Sequence, residues 1–321
     1  MTLLQAENLS IEFQTPDGVV KAVNDVSFSI GAGETVALVG ESGSGKSQIA
    51  LSVLGLLAGN ARTSGTVTYQ GKNLLEMQQN ELNSIRAKEI AMIFQDPMTS
   101  LNPYMTIERQ LNESLEQHEG LKGAAARKRV LEAMDAVRIP DAKNRLKAYP
   151  HEFSGGMRQR IVIAMALMCS PKLILADEPT TALDVTVQAQ IMALLKEIQR
   201  ESDMSVLLIT HDLGVVAGAC EKTLVLYAGR VMEQAGTLDL FETPSHPYTR
   251  GLLRAVPNIQ DAVGDLRSIA GQPPNQMVPP PGCPFAPRCE NRTEQCDREL
   301  PPLVGDIRHQ RACWRPVEEL V

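Results

Sequence analysis

A glycine-rich segment carries residue types that bind phosphate groups. Residues 40–47 read GESGSGKS, which fits the pattern G-x-x-x-x-G-K-[ST], between an apolar strand-like run and a helix-like repeat of apolar residues. Backbone N–H groups of such a loop surround a phosphate, and the helix that follows adds the positive end of its dipole. We predict that this loop binds a nucleoside triphosphate. The residues assigned to it are Gly40, Ser42, Gly43, Gly45, Lys46 and Ser47.

Two adjacent carboxylates follow a second apolar run, residues 173–176. Neighbouring residues of a strand point to opposite sides, so the two acidic groups can have different roles. We predict that Ser47 and Asp177 hold Mg²⁺, that Lys46 bridges the β- and γ-phosphates, and that Glu178 deprotonates the attacking water. Alone, an Asp–Glu pair after a strand is equally typical of a solvated loop. The phosphate loop in the same chain favours the catalytic interpretation.

Cysteines are concentrated near the end of the chain. Four of the six lie within residues 283–313, spaced C-x5-C-x6-C-x16-C among prolines. Disulfides are rare in the cytosol, so these thiols indicate a metal centre, either zinc or an iron–sulfur cluster, with free thiols as the third alternative. Cys169 and Cys220 lie among apolar residues and are expected in the core. The candidate ligands are Cys283, Cys289, Cys296 and Cys313.

The distribution of proline divides the chain. Seven of the 20 prolines precede residue 240, and the other 13 lie between residues 244 and 316. We therefore predict a regular α/β domain over 1–240 and a loop-rich region over 241–321 that needs a metal or cluster because it buries little core of its own.

Apolar patterning predicts the elements of the first domain. Alternation over 7–30 and 65–69 indicates antiparallel strands, whereas the continuous apolar runs 36–39, 173–176 and 206–209 are typical of a parallel sheet that is covered on both faces. The charged stretch between these runs, about 98–165, is predicted to form a helical subdomain.

Composition excludes several classes of protein. The 321 residues are 43% hydrophobic and carry a formal net charge of -7, which argues against disorder and against a nucleic-acid partner. The longest apolar run, 161–169, is far shorter than the roughly 20 residues that span a bilayer. The N-terminal residues show no signal-peptide pattern, so we expect a cytosolic chain.

The segment SGGMRQ at residues 154–159 resembles the signature of ATP-binding-cassette (ABC) ATPases. Three further motifs occur in that family's order: Gln95 after an apolar run resembles its glutamine loop, residues 181–184 resemble its D-loop, and His211 resembles its switch histidine. The resemblance implies a P-loop NTPase fold with a RecA-like parallel sheet, an antiparallel β subdomain and a helical signature subdomain. It implies ATP and Mg²⁺ as ligands.

The same resemblance assigns roles to individual residues. Gln95 would sense Mg²⁺ and the attacking water, Asp184 would cross a dimer seam, and His211 would contact the γ-phosphate. Phe13 is the candidate for stacking on adenine, with a plain core phenylalanine as the alternative. Phe153 and Met157 depart from the family's L-S-G-G-Q, but the phosphate-gripping atoms remain. Those atoms belong to Ser154, Gly155 and Gly156, which would bind ATP held by the opposite subunit.

Longer segments are similar to the family's branch of oligopeptide, dipeptide and nickel importers. They are residues 95–103, 151–160, 176–184 and the HPY motif at 246–248 with the cysteine-bearing tail. This branch implies a [4Fe–4S] cluster on the four cysteines. It also implies a peripheral place on the cytoplasmic face of a bacterial inner membrane, with a second (F-type) ATPase subunit as heterodimer partner, two transmembrane permease subunits and an extracytoplasmic peptide-binding protein.

The resemblance implies an ATP-hydrolysing subunit that powers the uptake of oligopeptides, and three other cargoes remain open for a member of this branch: dipeptides, nickel or glutathione. A non-transport ABC ATPase of nucleic-acid repair or translation is the remote alternative. It would predict tandem cassettes, long heptad insertions or a basic groove, and none of these occurs in the sequence.

Overall fold

The computed structural model describes residues 1–181, 183–256, 269–306 and 308–320. Its strands, in chain order, are β1 Thr2–Thr15, β2 Gly18–Gly31, β3 Thr35–Val39, β4 Ala61–Tyr69, β5 Lys72–Asn73, β6 Ile90–Ile93, β7 Leu173–Asp177, β8 Ser205–Thr210, β9 Lys222–Tyr227, β10 Arg230–Gly236, β11 Val304–Gly305 and β12 His309–Arg311. Its α-helices are α1 Lys46–Val53, α2 Gln79–Ile85, α3 Pro97–Ser100, α4 Ile107–His118, α5 Gly123–Ala136, α6 Ala142–Arg145, α7 Gly155–Leu167, α8 Val185–Ser202, α9 Leu213–Val216, α10 Thr237–Glu242, α11 Pro247–Arg254 and α12 Glu294–Arg298.

The chain forms two compact units. One, which we call the phosphate-loop unit, comprises Thr2–Ile30, Thr35–Glu76 and Thr210–Val321. The other, the carboxylate unit, comprises Met1, Gly31–Glu34 and Met77–Ile209. Residues on both sides of position 240 belong to the phosphate-loop unit, and the domain boundary drawn there from the sequence stays a prediction.

The phosphate-loop unit contains an antiparallel sheet in the order β2-β1-β4-β5 and part of a second sheet in the order β11-β12-β10-β9-β3. Strand β3 is buried at every position and pairs in parallel with β9, as the unbroken apolar run 36–39 predicts. Strand β10 is antiparallel to both β9 and β12. The end of the chain therefore extends the sheet that carries the phosphate loop.

An aromatic cluster joins the C-terminal region to this sheet. The rings of Tyr227 and Tyr248 have centroids 4.7 Å apart, and Phe285 lies 5.3 Å from each. Tilted and edge-on rings at these separations attract one another beyond the area they bury. The C-terminal region thus shares a hydrophobic core with the end of β9, whereas the sequence predicted little core for it.

The carboxylate unit contains the parallel strands β6, β7 and β8 and the helices α2 to α8, and the helical subdomain drawn over about 98–165 stays a prediction. Strand β7 pairs in parallel with both β6 and β8. Helix α4 buries Ile107, Leu111 and Leu115, whose spacing of four residues places them on one face. Within the described residues, no helix is both long and apolar enough to cross a membrane.

Candidate nucleotide site

The phosphate-binding loop follows β3 and ends where α1 begins. Gly45 is the N-cap of α1 and has φ 98°, a left-handed conformation that glycine adopts without strain. A Cβ at Gly45 would lie 2.3 Å from the carbonyl oxygen of Ala22, and one at Gly40 would lie 2.1 Å from that of Leu226. The loop therefore needs glycine at Gly40 and Gly45 because neighbouring backbone leaves no room for a side chain.

Lys46 lies inside this loop, with 5% of the residue exposed. Its Nζ donates hydrogen bonds to the carbonyl oxygens of Gly40 at 2.7 Å and Glu41 at 3.0 Å. Ser42 and Gly43 are exposed at the tip of the loop, and Ser47 is half-buried in the first turn of α1. The residues predicted to bind phosphate thus form one continuous structure in the phosphate-loop unit.

Glu41 connects this loop to the C-terminal region, and sequence reasoning missed it. Its backbone N–H donates to Oη of Tyr248 at 3.0 Å, and Arg288 Nη1 donates to its Oε2 at 2.8 Å. Gln276 Nε2 donates to the carbonyl of Gly43 at 2.7 Å. These partners lie more than 200 residues after the loop, so no local sequence pattern indicates them.

The two carboxylates lie at the end of β7, as predicted. Asp177 is buried with 7% exposed, and Glu178 has φ 46°, which is uncommon for a residue other than glycine. The backbone N–H of Glu178 donates to the carbonyl of Ile209 at 2.8 Å. Two side chains, Gln95 Nε2 and Thr181 Oγ1, each donate to Glu178 Oε2 at 2.8 Å. The structure therefore brings Gln95 to the proposed general base.

Thr181 belongs to the segment that resembles the D-loop, but sequence reasoning assigned it no contact with Glu178. It follows Glu178 by three residues in a turn whose backbone bond runs from Thr181 N–H to the Glu178 carbonyl at 3.3 Å. This spacing lets a hydroxyl fold back onto the carboxylate. A Thr or Ser three residues after a catalytic carboxylate at a strand end is the signal that would have indicated it.

The signature segment lies at the start of the 13-residue helix α7. Ser154 is its N-cap, and the Ser154 hydroxyl accepts from Met157 N–H at 3.4 Å. Ser154 and Gly155 are exposed, so their polar groups face solvent at the positive end of the helix. Phe153, which departs from the family pattern, is buried, and the guanidinium carbon of Arg145 lies 5.6 Å from its ring centroid.

Three predicted site residues remain to be placed: Asp184 in the carboxylate unit, and His211 and Phe13 in the phosphate-loop unit. Asp184 caps α8 by accepting from Val187 N–H at 3.0 Å, a structural role that does not depend on a dimer seam. In the phosphate-loop unit, His211 is exposed just before α9, and Phe13 is half-buried on β1 opposite Ala61. Phe13 is therefore not a fully buried core residue.

The predicted metal or cluster centre is not supported. Among the described residues, no group of three or more His, Cys, Asp or Glu side chains is arranged to hold a metal ion. Burial and neighbouring thiols raise the pKa of Cys283 to about 12 and that of Cys289 to about 11, and none of the six cysteines, all of which lie in the described residues, forms a disulfide. The spacing predicted thiol ligands, and it carries no information on the distances that coordination requires. Cys283, Cys289 and Cys296 nevertheless pack in one hydrophobic cluster, Cys283 N–H donates to the Cys296 carbonyl at 2.8 Å, and Cys313 contributes to the raised pKa of Cys289.

Comparison with known protein families assigns the chain. A model described as ABC transporter matches residues 23–181, and one described as oligopeptide/dipeptide transporter, C-terminal region, matches residues 232–296. The chain is 54% identical over 319 residues to the oligopeptide transport ATP-binding protein OppD of Salmonella typhimurium, covering 99% of this chain and 95% of that protein. The chain belongs to the ABC transporter family.

Other relatives and solved structures agree with this assignment. The chain is 55% identical to OppD of Escherichia coli, an alignment that covers 99% of this chain and 95% of that protein. It is 51% identical to the dipeptide transport ATP-binding protein DppD of Bacillus subtilis, with 97% of this chain and 94% of that protein covered. A dimeric post-hydrolysis state of the ATP-binding cassette MJ0796 bound to ADP and Pi has a TM-score of 0.66 at 29% identity, covering 73% of this chain and 99% of that one. The predicted P-loop ATPase fold is confirmed.

Proposed function

We propose that this chain is the ATP-hydrolysing subunit of an ABC importer that drives oligopeptide uptake across a bacterial inner membrane. Hydrolysis is supported by one observation: Gln95 and Thr181 donate hydrogen bonds to the carboxylate of Glu178 at the end of β7. The names of the OppD relatives, which align over nearly the full chain, support the peptide cargo.

Each predicted site residue has a role in the proposed hydrolysis of ATP. The backbone N–H groups and Lys46 of the phosphate loop bind the β- and γ-phosphates, and Ser47, Asp177 and Gln95 are the residues that would hold Mg²⁺. When bound by these residues, the ion would supply positive charge that stabilises the phosphate oxygens. Glu178 accepts the proton of the attacking water, and the amide and hydroxyl that donate to its Oε2 fix the orientation of the carboxylate. His211 contacts the γ-phosphate in this assignment.

A second ATPase subunit completes the proposed site. Ser154 and Gly155 are exposed at the N-terminus of α7, where N–H groups and a helix dipole favour an anion. In the proposed heterodimer with an F-type subunit, this signature binds the γ-phosphate of ATP held by the opposite subunit. Asp184 lies at that seam, and ATP joins the two subunits.

Exposed apolar side chains support a permease contact in the carboxylate unit. Tyr104 is 90% exposed and Met98 59% exposed, with Phe94 and Tyr149 also exposed. Arg158 contacts both Met98 Sδ and the carbonyl of Pro150, which brings the ends of the helical subdomain together. We propose that this part of the carboxylate unit receives a cytoplasmic segment of one of two permease subunits and holds the chain at the membrane, with an external peptide-binding protein delivering cargo.

We also propose that the four C-terminal cysteines bind a [4Fe–4S] cluster. Its support is the family resemblance and the packing of Cys283, Cys289 and Cys296 in one cluster of side chains, where Cys283 N–H donates to the Cys296 carbonyl at 2.8 Å. In a cluster, each thiolate binds a different iron, so the ligands lie farther apart than around a single zinc ion. We expect four iron and four acid-labile sulfide per chain after anaerobic purification, lost in Cys289→Ser and retained in Cys169→Ser. Less than one cluster per chain would contradict it.

Uptake of labelled dipeptides and tripeptides tests the transport function. Cells that lack this gene would be complemented with wild type or with Glu178→Gln, which removes the base, is expected to trap ATP-bound dimers and keeps the size of the side chain. We expect tripeptide uptake to be restored by wild type alone. Restored dipeptide uptake alone would reassign the cargo, and normal ATP hydrolysis by Glu178→Gln would contradict the mechanism.

A further inference from the structure

Glu41 in the phosphate loop is held at each of its three polar groups. Its backbone carbonyl accepts from Lys46 Nζ at 3.0 Å, its backbone N–H donates to Tyr248 Oη at 3.0 Å, and its carboxylate accepts from Arg288 Nη1 at 2.8 Å. The lysine is the residue predicted to bind the phosphates, whereas both other partners belong to the C-terminal region. A displacement of Glu41 therefore moves a carbonyl that receives the lysine.

Arg288 is built into this position rather than lying on the surface. Its side chain is 5% exposed, and its guanidinium donates to four acceptors within the phosphate-loop unit. Besides Glu41, these are Tyr227 Oη at 3.1 Å and the carbonyls of Ile269 at 3.1 Å and Ala270 at 2.9 Å. A planar guanidinium with all its acceptors in place is a rigid connector, because its donors have fixed directions.

We propose that Arg288 is a positioning residue for the phosphate-binding loop, through which the C-terminal region sets the affinity of this chain for ATP. The proposal rests on the proposed function, since it assumes that the loop binds ATP. Tyr248 is the second such residue, and it acts on the N–H of Glu41. The loop is thus organised before nucleotide arrives, which lowers the ordering cost of binding.

The role of Arg288 differs from a purely structural one in what its loss should change. Loss of a residue that only anchors the C-terminal region would lower the midpoint of thermal unfolding and leave the ATP affinity of the folded protein unchanged. Loss of a positioning residue instead weakens ATP binding at temperatures where the chain is fully folded. In the assembled transporter, that loss raises KM for ATP more than it lowers kcat, because Glu178 and its donors are untouched.

The test measures the ATP dissociation constant of the full-length chain by calorimetry, and KM and kcat in the assembled transporter. For Arg288→Ala we expect an increase of about tenfold in both the dissociation constant and KM, the equivalent of one charge-assisted hydrogen bond, with kcat changed by less than about twofold. Arg288→Lys should fall between Ala and wild type because it keeps the charge and loses the fork. Arg292→Ala is the matched control, since its ion pair with Asp297 is half-exposed on the same segment.

Two milder variants keep the test decisive if Arg288→Ala fails to fold. Glu41→Gln keeps the shape of the side chain and removes its charge, and Tyr248→Phe removes only the hydroxyl that accepts from Glu41 N–H. Each should weaken ATP binding. The loss of binding free energy in the double variant Glu41→Gln with Arg288→Lys should be smaller than the sum of the two single losses, because both substitutions act on one contact. Dissociation constants within twofold of wild type in the folded variants would overturn the proposal. Failure of wild type itself to bind ATP would instead overturn the proposed function.

Discussion

Gln95 Nε2 donates a hydrogen bond to Oε2 of Glu178 at 2.8 Å, and the same oxygen accepts from Thr181 Oγ1 at the same distance. Two donors on one carboxylate oxygen restrict the rotation of that carboxylate about its terminal bond. The glutamine predicted to sense Mg²⁺ is thus bonded to the predicted base. The amide oxygen Oε1 of Gln95 is the atom that would contact Mg²⁺, so Nε2 can keep its hydrogen bond to Glu178 at the same time.

Thr181→Val removes this donor while keeping the shape of the side chain. We expect kcat for ATP hydrolysis to fall about three- to tenfold, because a hydrogen bond to a charged group that orients the base is lost, with KM for ATP unchanged. Steady-state ATP hydrolysis by the assembled transporter measures both constants.

Ser202→Ala is the control for Thr181→Val. It deletes an exposed hydroxyl that bonds to the Ile198 carbonyl on α8 in the same unit. An equal loss of kcat in both variants, or a rise in KM with kcat unchanged in Thr181→Val, would contradict the assigned role.

The parts of the site that the sequence predicted are those determined by local chemistry. The loop at 40–47 could be recognised because glycine, lysine and serine at that spacing, between an apolar strand and a helix, have few other uses. The position of Asp177 and Glu178 at a strand end follows from the apolar run before them. In each case the neighbours in sequence supply the environment that the residue needs.

The parts that could not be predicted depend on contacts between distant residues. Glu41 fills a variable position of the phosphate-loop pattern, and its partners Tyr248 and Arg288 lie 207 and 247 residues away. The prolines indicated loops after position 240 but gave no information on which surface those loops pack against. The cysteine spacing likewise predicted ligand chemistry without distances.

Alanine substitutions at three glycines of the phosphate-loop unit distinguish the effect of steric clash from that of backbone strain. Gly40 has no room for a Cβ, Gly43 has open space but φ 78°, and Gly59 has open space without a left-handed φ. We expect Gly40→Ala to cause the largest loss in the free energy of unfolding. Gly43→Ala should lower that free energy by about 1–2 kcal/mol. Gly59→Ala should be neutral or stabilising by about 0.4–1 kcal/mol, because alanine restricts the unfolded chain.

Unfolding in urea measures these three changes in stability. A loss in Gly40→Ala no larger than that in Gly43→Ala would show that the backbone near Leu226 yields to a methyl group, contrary to the close approach described here.

His246 makes the C-terminal region sensitive to acid. It is 1% exposed, its Nδ1 accepts from Tyr248 N–H at 3.0 Å, and its backbone N–H donates to the buried carboxylate of Glu233 at 2.9 Å. Burial lowers the pKa of His246 from 6.5 to about 4, opposed in part by the charge of Glu233 and a hydrogen bond to the Ala312 backbone and reinforced by the charge of Arg311. The folded chain therefore holds a neutral histidine that the unfolded chain protonates more readily.

The sign of the pH dependence follows from this difference. Above pH 6.5 both states are neutral at His246 and its stabilising contribution is complete, whereas between pH 6.5 and about 4 only the unfolded state takes up a proton. Stability should fall by about 1.4 kcal/mol per pH unit in that interval from this residue. His246→Asn keeps a short acceptor at the helix cap and does not titrate, so its free energy of unfolding should fall less steeply there. His151→Asn, at an exposed position, should match wild type, and equal slopes for the two variants would contradict the assignment.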